Sequence, residues 1–155
     1  MAASRPKLDA ALAECALHAQ VLRQAIGALP AAFTPDAAAA MDVDTRRWLD
    51  QAAYRFMKLQ DSLGDKVLPG LLVATLDPLP PEATFAEKLQ RLERLGAVPS
   101  AERWRGLREV RDSLAHEYPE NPGLQAAALT RLVQGVQELL LTWTTAQAFA
   151  LTRLP

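Results

Sequence analysis

The sequence predicts an all-α fold, an up-and-down bundle of four long helices and a short one. Three observations carry that expectation. Half of the 155 residues are apolar, with alanine and leucine dominant. Long alternations of β-branched or aromatic residues with polar ones are missing, which leaves almost no strand signal. Apolar residues recur at spacings of three and four, the period of a helix with one buried face. A chain of this length is expected to form one domain, residues 1–155, with a core that needs no covalent staple.

The elements follow in order. Leu8, Leu12, Cys15, Ala19, Leu22, Ile26 and Leu29 step by 4, 3, 4, 3, 4, 3, the seam of a helix lying against antiparallel neighbours, and Pro30 ends it. Residues 31–41 read as a linker. A second helix is expected over residues 44–63, with Asp42 or Asp44 as its cap, Leu49, Ala52, Ala53, Phe56, Leu59 and Leu63 inward, and Gly64 as a left-handed stop. A short helix over residues 66–74 tolerates Pro69 in its first turn, and the Leu-Asp-Pro-Leu-Pro-Pro run at 76–81 is a rigid loop. Thr84-Phe-Ala-Glu87 is a capping box, and Leu89, Leu92 and Leu95 form the buried side of the helix that Gly96 ends. Ser100 caps a helix running to Tyr118, where Pro119 stops it. Asn121 caps a last helix carrying Leu129, Leu132, Val133, Val136, Leu139, Leu140 and Trp143 inward.

Composition narrows the partners. With 17 Lys+Arg against 18 Asp+Glu, no global field draws the chain to nucleic acid, so any polyanion site is local. A single cysteine permits no internal disulfide, and no charged-then-apolar leader opens the sequence, so a cytoplasmic location is expected. No apolar run nears the roughly 20 residues that span a bilayer, and no membrane partner is expected. Cys15 and His18 are three apart, but no further Cys or His pair completes a metal site; core packing for the thiol and a surface imidazole are the simpler reading. Trp48, Trp104 and Trp143 are most simply core or subunit contacts. There is no Gly-rich phosphate loop, nucleophile elbow or paired-Cys motif.

One stretch reads as chemistry. Trp104, Leu107, Arg111, Leu114 and Tyr118 recur at helical spacing, which sets a permanent cation in an apolar stripe. Burying an unpaired charge is costly, so Arg111 must meet an acid, line a wet cleft or serve a ligand. As a purely structural ion pair it needs an acid from elsewhere, because Glu109 and Asp112 lie too near in sequence. Asp112 and His116 are four apart and share a helical face, so the carboxylate can hold the ring, and a helix C-terminus favours imidazolium. A histidine exchanging protons near neutrality beside Arg111 and Tyr118 suits chemistry on a phosphodiester. His116 nevertheless lies about 140° around the helix from Arg111, so one helix cannot easily aim both at one atom.

The run Arg111-Asp112-Ser113-Leu114-Ala115-His116-Glu117-Tyr118 spells Arg, four residues, His, one residue, Tyr, with a polar residue after the Arg. At the end of a bundle helix before a proline, it resembles the signature of the HEPN superfamily in the form carried by HepT-type toxins. Leu59-Gln60-Asp61-Ser62-Leu63-Gly64 is also similar to HepT-like chains; elsewhere the likeness rests on helix order.

The resemblance implies a HEPN-like bundle and a metal-independent endoribonuclease that needs no cofactor. Arg111 would bind the scissile phosphate, His116 would move the proton of the attacking 2′-hydroxyl or the leaving oxygen, and Asp112 would orient them. Arg105 and Arg108, otherwise a solvated face laced to Glu102 and Glu109 in company with Arg103, would grip the RNA backbone. The resemblance further implies a homodimer whose two motifs face a shared cleft, which would answer the angular mismatch. It implies a partner too, a minimal nucleotidyltransferase antitoxin encoded beside the toxin. That enzyme would transfer AMP to Tyr118, and the added charge would repel RNA. The alternative is a non-catalytic module of the same fold that binds a nucleotidyltransferase as its substrate or scaffold.

Overall fold

The heptad-like seam of the first helix closes against two neighbours. In the computed structural model, which describes residues 4–114 and 116–155, α1 (Ser4–Gly27) buries Leu8, Ala11, Cys15, Ala19, Leu22 and Ala25. His18 lies three residues beyond Cys15 on the flank of that seam and is buried as well, which corrects the expectation of a surface imidazole. The stretch read as a linker contains a one-turn helix, α2 (Pro35–Ala39), because Thr34 accepts a hydrogen bond from the Ala37 N–H and Pro35 needs no donor at the first turn. The Phe33 N–H donates to Thr130 Oγ1 at 2.9 Å, and α2 packs on the last helix.

Helix α3 (Val43–Ser62) starts at Asp42, whose carboxylate accepts from the Thr45 N–H at 2.7 Å; that bond holds the carboxyl below the usual carboxylate range. Gly64 does not stop the helix. The chain passes through a π turn (Leu63–Val67) into α4 (Leu68–Val73), so helical backbone is continuous over residues 43–73. Two local causes account for this. Pro69 lacks an N–H and its ring crowds the carbonyl four residues back, which a widened turn relieves. Gly64 is seated under Trp104, where a Cβ would stand 2.9 Å from Cζ2. Its missing side chain thus makes room for an indole rather than for a left-handed backbone.

The proline-rich run is irregular, as expected. Helix α5 (Phe85–Leu95) then shows the complete capping box at Thr84 and Glu87 and ends at Gly96 with φ 85°. Glu93 accepts from the Ala101 N–H at 3.1 Å and ties this end to α6 (Ala101–Ser113), which Ser100 caps. After the Pro119 break, Asn121 caps α7 (Pro122–Arg153), a 32-residue rod that buries Leu132, Val133, Val136, Leu139, Leu140 and Trp143 and keeps burying residues as far as Phe149 and Ala150.

Partners descend α3 as they ascend α1: Glu14 Oε1 accepts from Ser62 Oγ at 2.8 Å, while His18 Nδ1 meets Arg55 at 2.9 Å. The two helices are therefore antiparallel, and α7 packs against both. Helices α5 and α6 close the remaining side, α5 on α4 and α6 on α7. No helix among the described residues is long and apolar enough to cross a membrane.

Candidate functional site

Helix α6 is shorter than its sequence pattern implies and is rolled by one position. Its buried side is Ala101, Trp104, Leu107 and Val110, a run of threes, so Val110 takes the interior place expected for Arg111. Gly135 on α7 decides this: a Cβ there would stand 2.9 Å from Val110 Cγ1, so the glycine is the socket for that side chain. Arg111 is left at the margin of the stripe. Its guanidinium meets Asp61 near the end of α3 through both terminal nitrogens, the second at 3.4 Å from Oδ2. The hydrogen bond that it donates to Asp61 raises the guanidinium pKa, and the Asp65 and Asp112 carboxylates add to the effect against a smaller opposing cost of burial. The pair is not sealed away, since the Arg111 and Asp61 side chains keep 37% and 48% of their exposure.

Arg111 lines an open groove of about 610 Å³ between the α3 end, the start of α5 and α6. Arg105 and Arg108 face the same groove from α6, and Asp112 stands at the Arg111 end. Among the described residues neither Arg105 nor Arg108 lies within ion-pair distance of a carboxylate, so the lacing to Glu102 and Glu109 is not formed.

The helix ends at Ser113, not at Tyr118. Ser113 Oγ donates to the Val110 carbonyl at 2.6 Å, and the Leu114 and His116 N–H groups turn back to the carbonyls of Arg111 and Ser113 in the tight pattern of a fraying terminus. Downstream, Pro119 keeps the helix from running on to Tyr118, because its ring would collide with the carbonyl four residues earlier. Ala115, inside the motif, lies outside the described residues. Two expectations fall with the helix: Asp112 and His116 do not share a helical face, and His116 does not sit in a last helical turn. Tyr118 carries φ 49°, a left-handed conformation that costs a non-glycine residue roughly 1–2 kcal/mol. Its half-buried ring lies 5.7 Å from that of His116 at a tilt of 38°.

His116 is exposed and faces a different cavity, about 320 Å³, between α2, α3 and the start of α7. Its walls are mixed, with Leu49, Leu114, Leu129 and Leu132 apolar and Arg46, Asp50, Ser113, Glu117 and Gln125 polar. The fold therefore brings Arg105, Arg108, Arg111 and Asp112 together in one groove and His116 near Tyr118, with His116 lining a separate cavity.

Sequence reasoning did not single out Asp61, Gln60, Phe85 or Arg46 as site residues. Asp61 and Gln60 stood in the stretch similar to HepT-like chains, and no signal marked the other two. A second polar cluster, also unforeseen, joins α1 to α3. Arg55 can only donate, so His18 Nδ1 accepts and the ring is the Nε2–H tautomer. Glu14 lies 3.6 Å from Nε2 and pairs with Lys66 at 3.1 Å. Burial, followed by the charge of Arg55, holds the His18 pKa below the ordinary imidazole value. Burial also pushes the Cys15 thiol up to about 12, so that thiol is an inert core group.

No protein-family model, curated protein or solved structure matches the chain.

Proposed function

We propose that this chain is a metal-independent endoribonuclease of the HEPN type, the toxin half of a pair with a minimal nucleotidyltransferase, and that it acts as a homodimer in the cytoplasm. One observation carries the reading. The Arg-x4-His-x-Tyr spacing falls where a bundle helix ends, with its arginine in an open groove beside two further unpaired arginines. The two stretches that carry the resemblance also meet in space, since Asp61 pairs with Arg111.

In the proposed reaction the 2′ oxygen of RNA bonds to the neighbouring phosphorus as the bond to the 5′ oxygen breaks. His116 takes the 2′-hydroxyl proton, the 5′ oxygen gains one from water, and a 2′,3′-cyclic phosphate results. Arg111 opposes the charge growing on the phosphate. A guanidinium has five N–H donors, so pairing with Asp61 leaves an edge free for phosphate. Because Arg111 and His116 line separate cavities, the reading needs the second copy to bring one chain's imidazole to the other's guanidinium. The purified chain incubated with RNA in EDTA should yield fragments ending in cyclic phosphate or 3′-phosphate. Intact RNA with the wild type, or equal cleavage by His116→Ala, removes the proposal.

A second reading gains from the same geometry. The ion pair on Arg111 and its separation from His116 favour a non-catalytic module that binds a nucleotidyltransferase, with the strained Tyr118 as acceptor of AMP. Mass spectrometry after coexpression with such an enzyme tests it. A stable complex, one AMP on Tyr118 and no cleavage by the unmodified chain would select this reading over the first.

A further inference from the structure

We propose that the groove between α3, α5 and α6 is the seat of one nucleotide of a single-stranded RNA. Its phosphate lies on Arg105 and Arg108, and its base lies against Phe85. The choice of RNA rests on the ribonuclease reading; the choice of a nucleotide rests on the groove itself.

Charge divides the groove. Its three acids gather about Arg111: Asp61 pairs with it, and Asp65 and Asp112 act on it through space. Arg105 and Arg108, three residues apart and exposed, hold the other part of the α6 wall without an ion-pair partner among the described residues. A phosphate beyond the scissile one is therefore best held at Arg105 and Arg108, away from the acids, and along the helix Arg105 stands about 9 Å from Arg111.

The remaining walls suit a flat heterocycle. Phe85, in the first turn of α5, keeps 42% of its surface exposed and lines the groove. An exposed ring beside unpaired guanidinium groups is the arrangement on which unstacked bases rest. A bare inorganic anion would use the arginines and leave Phe85 idle. A duplex would keep its bases stacked and out of reach of the ring.

The groove contains its own reporter, because Trp104 forms part of its wall. The full-length His116→Ala chain is titrated with labelled single-stranded RNA of about ten nucleotides and, separately, with AMP. RNA should bind and quench fluorescence, and the quench should vanish in Trp104→Phe. Phe85→Ala should weaken binding about tenfold. Arg105→Gln with Arg108→Gln should reduce the logarithmic salt slope by about 0.7 for each phosphate that the variant no longer neutralises. Phe85, Arg105 and Arg108 are exposed, so these variants fold. RNA that fails to bind, or that binds all variants alike, overturns the proposal, and AMP binding without RNA binding overturns the assignment to a strand. Wild-type cleavage untouched by Phe85→Ala and the arginine pair would sink the subsite and leave the ribonuclease standing. Groove-dependent binding with no cleavage by the wild type would do the reverse.

Discussion

Alanine at Gly64 and alanine at Gly106 should move stability in opposite directions, although both replace a glycine in helical backbone. A Cβ at Gly64 would stand 2.9 Å from Trp104 Cζ2 and 3.5 Å from Cη2. Carbon atoms at their best separation lie about 3.5–4.0 Å apart. The indole is rigid and only 7% exposed, so it cannot swing aside. Forcing a methyl group into such a space costs about 1–3 kcal/mol, of which the better helix propensity of alanine returns about 0.8–1 kcal/mol. At Gly106 nothing lies within 4 Å of the added Cβ, and the substitution keeps the propensity gain alone, about 0.4–1 kcal/mol. The propensity term is common to both, so the difference between the variants isolates the clash. Urea denaturation with matched slopes should show Gly106→Ala above the wild type and Gly64→Ala below it, separated by about 1–3 kcal/mol. Equal shifts in the two variants would refute the seating of Trp104 on Gly64, and with it the placement of the α6 arginines beside Asp61.

Asp61→Asn removes the acid that holds Arg111. Because the pair is half-exposed, stability should fall by less than about 1 kcal/mol in denaturant titrations, while RNA affinity rises in a binding titration. The folded-state pKa of His18 lies below its ordinary value of 6.5, so between the two the unfolded chain binds the proton and the folded chain does not. Stability should therefore fall as pH drops below 6.5 and level off below the folded pKa, and His18→Gln should flatten that decline in thermal melts. Glu14, held low by Ser62 and then Lys66, should add a second decline below pH 4.5, absent in Glu14→Gln. Thr84→Ala removes one arm of the capping box and should cost about 1 kcal/mol by chemical denaturation.

What could be read from the sequence was local chemistry. Asp42, Thr84, Ser100 and Asn121 all cap the helices they were expected to cap, because each bond closes on an N–H three residues away. Gly96 terminates α5 by the same logic. Gly64 did not follow it, since what that glycine does depends on Trp104, forty residues further along the chain. His18 likewise reads as a surface residue until Arg55 and Glu14 are placed around it. The roll of α6 was hidden for the same reason: Arg111 and Val110 are neighbours with equal claims on the stripe, and the space above Gly135 selects between them.

The motif itself could be read, and its geometry could not. Helical spacing placed His116 one turn beyond Asp112, but that inference holds only while the helix lasts, and Ser113 is its final residue. Pro119 was recognised as the stop, yet a proline disturbs the turn before it as well as the position it occupies. The counterion of Arg111 is fifty residues distant in sequence, where no periodicity could show it. These outcomes sharpen the proposed mechanism. A general base and a phosphate-binding arginine must converge to within hydrogen-bond reach of one phosphodiester, and in this chain they face different cavities. Under the proposed function, a second copy's groove must therefore receive His116, which is exposed. The mixed-chain test is direct: His116→Ala and Arg111→Met subunits, each inactive alone, should regain cleavage when combined.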